Sequence, residues 1–265
     1  MTPEDEPTFA SWVDGVQQNS SASAWDMHAS LYDEIQGETG DAAHELVYDP
    51  VINEVIGSVT GRRILDAGCG NGCWARRLAG RASTVIGVDA SAELIKLARA
   101  KVNPTNVRYE VQNLTDKLPF QDGSFDLILS SMVLHYVPSL TTMVAEFDRL
   151  LASEGEVVIC VQHPMYQYHH RALATAGKLS PVFRYTVGYF DHLPLKQVTL
   201  SGKIEVPTYN RTLEDYVQIF VNGDFVLTAL REPQFTEELV EVMPRYRALM
   251  EVPRVIILRF SKMKH

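Results

Sequence analysis

The run Ile64-Leu65-Asp66-Ala67-Gly68-Cys69-Gly70-Asn71-Gly72 constrains the fold more than any other stretch of this chain. An apolar strand that breaks into glycines at alternate positions and then enters a helix brings bare backbone close to whatever lies above the turn. A second apolar run, Val85-Ile86-Gly87-Val88, ends in the acid Asp89. Strand, glycine turn, helix and acid-terminated strand make a βαβ unit, and an acid in that place accepts both hydroxyls of a ribose. Glycine turns also occur simply to let a strand and a helix pack closely, so the details around the turn have to decide.

Two details do. The spacing is G-x-G-x-G rather than the G-x-G-x-x-G of dinucleotide binders, and Asp66 stands two residues before the first glycine. A carboxylate there repels a pyrophosphate but can hold a cationic amino group, directly or through water. The implied ligand has a ribose, an ammonium and no phosphate, as S-adenosylmethionine does. On these residues the chain resembles the class I S-adenosylmethionine-dependent methyltransferases, in particular the small-molecule group typified by ubiquinone- and menaquinone-type enzymes. Asp66, Gly68, Gly70 and Gly72 match that family's first cofactor motif, and Asp89 matches its ribose acid. The run Gln112-Asn113-Leu114-Thr115-Asp116-Lys117-Leu118-Pro119-Phe120, with Asp122-Gly123-Ser124-Phe125-Asp126 after it, is similar to the family's adenine-binding segment. Asn113 stands where an Asp is usual, and its amide oxygen can still accept from an adenine amino group.

Read along the chain, the predicted organisation is an N-terminal segment over 1–22, a helical lid over 23–57, and a methyltransferase domain over 58–265. Polar residues dominate the first segment, which is expected to be loosely ordered. Helical spacing of apolar residues appears from Trp25 to about Gln36 and from His44 to about Ile56. Strands are then predicted near 62–67, 84–88, 107–111, 125–130 and 156–162. The intervening helices are expected from Asn71 to Leu78, from Ser91 to about Lys101 and from about Leu140 to Ala152. This alternation predicts an α/β fold: a Rossmann-like, mostly parallel sheet with helices on both faces and ligands at the C-terminal strand ends. After the fifth strand no helical or strand period of any length shows from about 165 to 209, which reads as an inserted substrate lid. A helix around Leu213–Phe220, strands near 225–231 and 254–260, and a helix around 235–249 complete the chain. The segments His163-Pro164, Tyr209-Asn210-Arg211-Thr212-Leu213-Glu214-Asp215-Tyr216 and Arg231-Glu232-Pro233 extend the resemblance to about residues 25–262. In that family the last two strands form a reversed hairpin at the sheet edge.

Composition excludes several classes. A net charge of −9 argues against a polyanionic partner, because nucleic-acid binders need a cationic footprint. Although 46% of the 265 residues are apolar, no run approaches the roughly 20 needed for a membrane span. The acidic start Met1-Thr2-Pro3-Glu4-Asp5-Glu6 does not resemble a secretory signal, so a cytoplasmic location is expected. Three cysteines, Cys69, Cys73 and Cys160, show neither disulfide nor zinc-site spacing, and no metal is expected. The anticipated partner is a small molecule, and the protein is expected as a monomer or homodimer.

The resemblance implies that Asp66, Gly68, Cys69, Gly70, Asp89, Ala90, Asn113, Leu114, Ser130 and Tyr32 surround the cofactor. His163 and His135, which follow the fifth and fourth strands, and Tyr32 are the candidate catalytic residues, with His44 a further possible member of the N-terminal lid. Tyr166, Tyr168, His169, His170, Tyr185, Tyr189, Phe190 and His192 form an aromatic set in the inserted lid that suits either a planar acceptor or a small core of its own. The implied activity is methyl transfer to the carbon, oxygen or nitrogen of a small organic acceptor, such as a natural-product or quinone-like intermediate. Two alternatives keep the same pocket: a cyclisation or rearrangement that uses the sulfonium without methylating, and a pseudoenzyme that senses the cofactor.

Overall fold

The computed structural model describes residues 21–166, 189–190, 192, 194–199 and 204–263. The predicted disorder of the first segment therefore lies almost wholly outside the described residues, as do Tyr168, His169, His170 and Tyr185. Seven strands form one sheet in the order β3-β2-β1-β4-β5-β9-β8, with β1 at Arg63–Ala67, β2 at Thr84–Asp89, β3 at Val107–Val111, β4 at Phe125–Ser131, β5 at Leu151–Gln162, β8 at Phe225–Arg231 and β9 at Val255–Lys262. The first five run parallel, and β9 is antiparallel to both β5 and β8, which gives the reversed edge hairpin.

Period-two alternation splits each central strand between two cores. Ile64, Leu127, Leu129, Val158 and Cys160 face one side, where Ile52, Val55, Trp74, Leu78 and Ile95 cover them. Leu65, Ala67, Ile128, Val157 and Ile159 face the other, under Met143, Phe147, Leu150, Tyr216 and Phe220. Among the described residues helices thus close both faces, and the strand ends remain open to a ligand. Among the described residues no helix is long and apolar enough to cross a membrane.

Four local expectations need correction. The helix expected from Asn71 begins at Cys73 and ends at Ala79, because Gly72 sits at φ +81°, outside the helical region. The stretch from His44 is not one α-helix: a π-helical turn, His44–Tyr48, feeds a short helix, Asp49–Ile56. The helix expected around 235–249 is broken at Pro244, which has no N–H to donate. It becomes an α-helix over Glu237–Val242 and a 3-10 turn over Pro244–Leu249. Within the span read as lacking regular structure, β6 at Pro194–Thr199 pairs antiparallel with β7 at Ile204–Tyr209. The β-branched residues of Val198-Thr199 and Ile204-Glu205-Val206, either side of Ser201-Gly202, carried that hairpin signal. Smaller shifts occur at the fifth strand, which already starts at Leu151 and so shortens the preceding helix to Leu140–Leu150.

Candidate active site

A cavity of about 520 Å³ opens at the C-terminal edge of the parallel strands. Its floor comes from the turn after β1, where Asp66, Gly68, Cys69 and Gly70 line it. The backbone must approach closely here. A Cβ added at Gly68, which sits at φ +81°, would lie 2.2 Å from a Val133 methyl, and one at Gly70 would lie 3.0 Å from the Tyr32 hydroxyl. Asp89 and Ala90 follow β2 along the wall, and Asn113 and Leu114 follow β3. Asp89 accepts from Gly70 N–H at 2.9 Å and from Ser91 N–H at 2.9 Å, so the acid and the glycine turn fix each other.

The roof is the helix Ser21–Gln36, which contributes Trp25 and Tyr32, their rings meeting edge-on at 5.5 Å. It is pinned across the mouth from both sides. Asp26 accepts from the Ser91 hydroxyl at 2.6 Å and from Glu93 N–H at 3.1 Å, at the start of the helix Ala92–Ala100. Asp33 pairs with Lys101 at 2.9 Å and accepts from the Asn71 amide at 2.8 Å. Behind the roof the π turn supplies His44 and Tyr48, and Asp49 follows. π turns insert one residue into a helix and are frequent at functional sites. Here the turn sets His44 Nδ1 at 3.2 Å from Asp49 Oδ1, while Arg77 holds the other Asp49 oxygen. The far wall carries Ser131, Met132, Val133 and Tyr136 after β4, Gln162 at the end of β5, Tyr209 and Arg254. Met132 takes the left-handed conformation, φ 62°, held by its N–H bond to Cys160 O at 2.7 Å.

Of the residues anticipated around a cofactor, Tyr32, Asp66, Gly68, Cys69, Gly70, Asp89, Ala90, Asn113 and Leu114 all line this one cavity. Ser130 does not: its hydroxyl donates to Ala67 O at 2.8 Å between strands, and Ser131 takes the cavity position. The two histidines named as catalytic candidates are also elsewhere. His135 is fully buried, with neither ring nitrogen bonded, and burial followed by the Arg211 charge pushes its pKa down to about 3. Arg211 straps that turn by donating to Leu134 O and Val137 O. His163 has both nitrogens engaged: Nδ1 accepts from Met165 N–H at 3.0 Å and Nε2 meets Glu232 at 2.8 Å. In the inserted segment, Tyr189 accepts from Leu213 N–H through its hydroxyl, His192 pairs with Asp215, and Phe190 is exposed. Sequence reasoning missed Tyr48, Asp49, Gln162 and Arg254, and gave His44 only a marginal place.

Residues 65–159 match the family model described as "Methyltransferase domain". A demethylmenaquinone methyltransferase of Lactococcus lactis is 31% identical over 152 residues, 54% of this chain and 59% of that protein. A ubiquinone biosynthesis O-methyltransferase of Thiobacillus denitrificans is 34% identical over 101 residues, 37% of this chain and 44% of its own length. The chain thus spans roughly half the length of these curated relatives. Among solved structures, one titled a putative S-adenosylmethionine dependent methyltransferase from Listeria monocytogenes superposes with a TM-score of 0.68 at 24% identity, covering 81% of this chain and 96% of that one. Over residues 65–159 the chain is thus similar to that methyltransferase domain family. Its fold is the Rossmann-like fold of the solved structure it superposes on, with the seven-stranded order described above.

The cofactor that this methyltransferase fold implies is S-adenosylmethionine, and the residues present fit it. Asp66 Oδ2 is buried without a hydrogen-bond partner, and desolvation pushes the carboxyl pKa up to about 7. A backbone hydrogen bond from Ala75 and the Arg76 charge offset only part of that burial, so the carboxylate has room for a further cation. The ammonium of a methionine tail supplies one, and Asp89 lies where the ribose of the same molecule has to be held.

Proposed function

We propose that this chain is an S-adenosylmethionine-dependent methyltransferase acting on a small organic acceptor. The single observation that carries this reading is the pair of acids at one glycine turn, Asp66 with its unpartnered oxygen and Asp89 with both oxygens fixed by backbone amides. When bound, S-adenosylmethionine supplies a methyl group already activated by its sulfonium. The protein therefore has to align, exclude water and, for a protic acceptor, remove a proton. Asp66 would hold the amino group and Asp89 the ribose. Asn113 and Leu114 would meet the adenine, with Tyr32 closing the mouth above Gly70. The rings of Trp25, Tyr136 and Tyr209 give the remainder of the cavity flat walls that suit a planar acceptor.

His44 is the residue best placed to take a proton. Asp49 engages Nδ1 and fixes the ring, which leaves Nε2 as the basic nitrogen of a histidine that lines the cavity. That arrangement replaces His135 and His163 in the role. The charge of −9 accords with an acceptor that is not a nucleic acid. The same reading carries over the expectations of a cytoplasmic location and of a monomer or homodimer.

Titration calorimetry with S-adenosylhomocysteine tests the cofactor assignment. Wild-type protein should bind it, and Asp89→Ala should bind about ten- to hundredfold more weakly, the loss expected for charge-assisted hydrogen bonds. Circular dichroism should show the fold retained. Unaltered affinity in a folded Asp89→Ala protein would overturn the reading.

A further inference from the structure

The acidic floor of the cavity has a counterpart of opposite charge on its far wall. Because β9 runs antiparallel to β5, its first residues lie at the same sheet edge as the last residues of β5: Val255 pairs with Gln162, and His163 N–H bonds Arg254 O at 2.9 Å. This register carries the Arg254 side chain into the cavity wall. Its guanidinium is held by three rings, 5.0 Å from the centre of Tyr246, 5.5 Å from Tyr166 and 6.0 Å from Phe235. The guanidinium has a side-chain hydrogen bond to Tyr246, but Nε and Nη1 are buried without an acceptor, and among the described residues no carboxylate pairs with this cation. Arg77, Arg149 and Arg259 all have carboxylate partners. Arg211, which lacks one, is satisfied by backbone carbonyls.

A second donor is stranded at the same place. Tyr48 is only 2% exposed, its hydroxyl has no partner, and the Arg254 charge acts on it. Its ring stands 5.2 Å from that of His44 and 6.2 Å from Phe235. A buried cation with two unsatisfied nitrogens and a buried phenol without a partner, both lining one cavity, are costly to keep unless something brings the missing oxygens. The protein's own acids do not serve. Asp41 accepts from His44 N–H, Asp49 is taken by His44 and Arg77, and Asp66 and Asp89 belong to the glycine turn.

We propose that Arg254 and Tyr48 form an anchor for an oxyanion, a carboxylate or phosphoryl group, carried by the methyl acceptor. A guanidinium offers paired N–H donors that match such a group, and the phenol adds a third. The anchor lies one ring away from His44, so the acceptor would carry its anion and its reacting atom within one small planar framework. The assignment rests on the methyltransferase reading only in calling the bound molecule an acceptor. The oxyanion site itself stands on Arg254 and Tyr48.

Calorimetry with benzoate, phenylphosphonate and benzamide tests it, on the protein alone and on the protein saturated with S-adenosylhomocysteine. At least one anion should bind tenfold or more tightly than the amide, and the better of the two separates carboxylate from phosphoryl recognition. Arg254→Met should abolish the preference and Tyr48→Phe should reduce it severalfold, with S-adenosylhomocysteine affinity within twofold of wild type in both. The proposal is overturned if the amide matches both anions, if none of the three binds, or if Arg254→Met keeps the preference. Should Arg254→Met not fold, the anion-to-amide ratio in wild type and in Tyr48→Phe decides. If wild-type protein fails to bind S-adenosylhomocysteine yet prefers an anion through Arg254, the cofactor reading falls and the anchor stands.

Discussion

The two ends of the cavity are built by different means. At the floor, backbone does most of the work: nine consecutive residues, Ile64 to Gly72, turn from strand to helix, and Asp89 is tied to them through Gly70 N–H at 2.9 Å. At the far wall, side chains do it. Tyr48 comes from a π turn, Gln162 from the end of β5 and Arg254 from the start of an antiparallel strand almost a hundred residues further on. The charges also differ in sign, with acids at the floor and an unpaired guanidinium opposite. On the proposed function, a common donor asks for a fixed backbone frame, while acceptor choice can be altered by exchanging single side chains on that frame.

On this division, a substitution at the proposed acceptor end should cut turnover while leaving the proposed donor site alone. His44→Ala offers the largest such effect. Removing a positioned base should lower kcat by about 10²–10⁴-fold for a protic acceptor. S-Adenosylhomocysteine affinity should stay near wild type, because His44 touches none of the floor residues' hydrogen bonds. Steady-state kinetics beside calorimetry separates the two quantities. A parallel loss of both would mean that the π turn supports the donor site, and the division between ends would break.

The same contrast explains what could be read without coordinates. Asp66, Gly68, Gly70 and Asp89 were legible because the chemistry of a backbone site depends on local spacing, and the parallel strands because βαβ rhythm is local too. The far wall was not legible. Helical periodicity from His44 to Ile56 shows nothing of a π turn, which shifts the register by one residue and re-aims His44 and Tyr48. Arg254, one charge before the apolar run Val255-Ile256-Ile257-Leu258, reads as an ordinary strand boundary until β9 is known to lie beside β5. His135 and His163 were attractive for the opposite reason: strand-end positions point to function, but long-range partners decide it. Glu232 and Met165 occupy His163, and Arg211 seals the turn that holds His135.

A smaller effect sharpens the electrostatic half of the comparison. Burial raises the Asp66 carboxyl pKa to about 7, so the neutral form gains ground below that pH. A ligand ammonium requires the ionised form, so binding below that pH must first release a proton. Affinity for S-adenosylhomocysteine should therefore rise as pH increases from 6 to 8, approaching tenfold per unit on the acid side and levelling above 7. In Asp66→Asn the affinity should be lower and its pH slope flat. The far wall, with a guanidinium in place of a carboxyl, should contribute no slope in this range, because Arg254 stays charged throughout. A slope that persists in Asp66→Asn would assign the titration to another group and remove Asp66 from the ammonium site.

The smallest expected effect concerns a buried histidine outside the cavity lining. His135 carries two buried ring nitrogens without partners, and its pKa is pushed down to about 3 by burial and then by Arg211. Because the folded value lies below the unfolded one of about 6.5, the folded protein keeps this ring neutral while the unfolded chain takes up a proton. Stability should hold above pH 6.5 and fall as pH drops from there toward 3. His135→Leu removes the unsatisfied polar atoms and the titration together. It should raise the melting temperature near pH 7 by a few degrees, consistent with a gain of about 1 kcal/mol, and widen the gap over wild type at pH 5. Turnover should not change. A large loss of kcat in His135→Leu with the fold intact would show that the seal over His135 opens during the reaction, and would move the catalytic role back from the π turn to the end of the fourth strand.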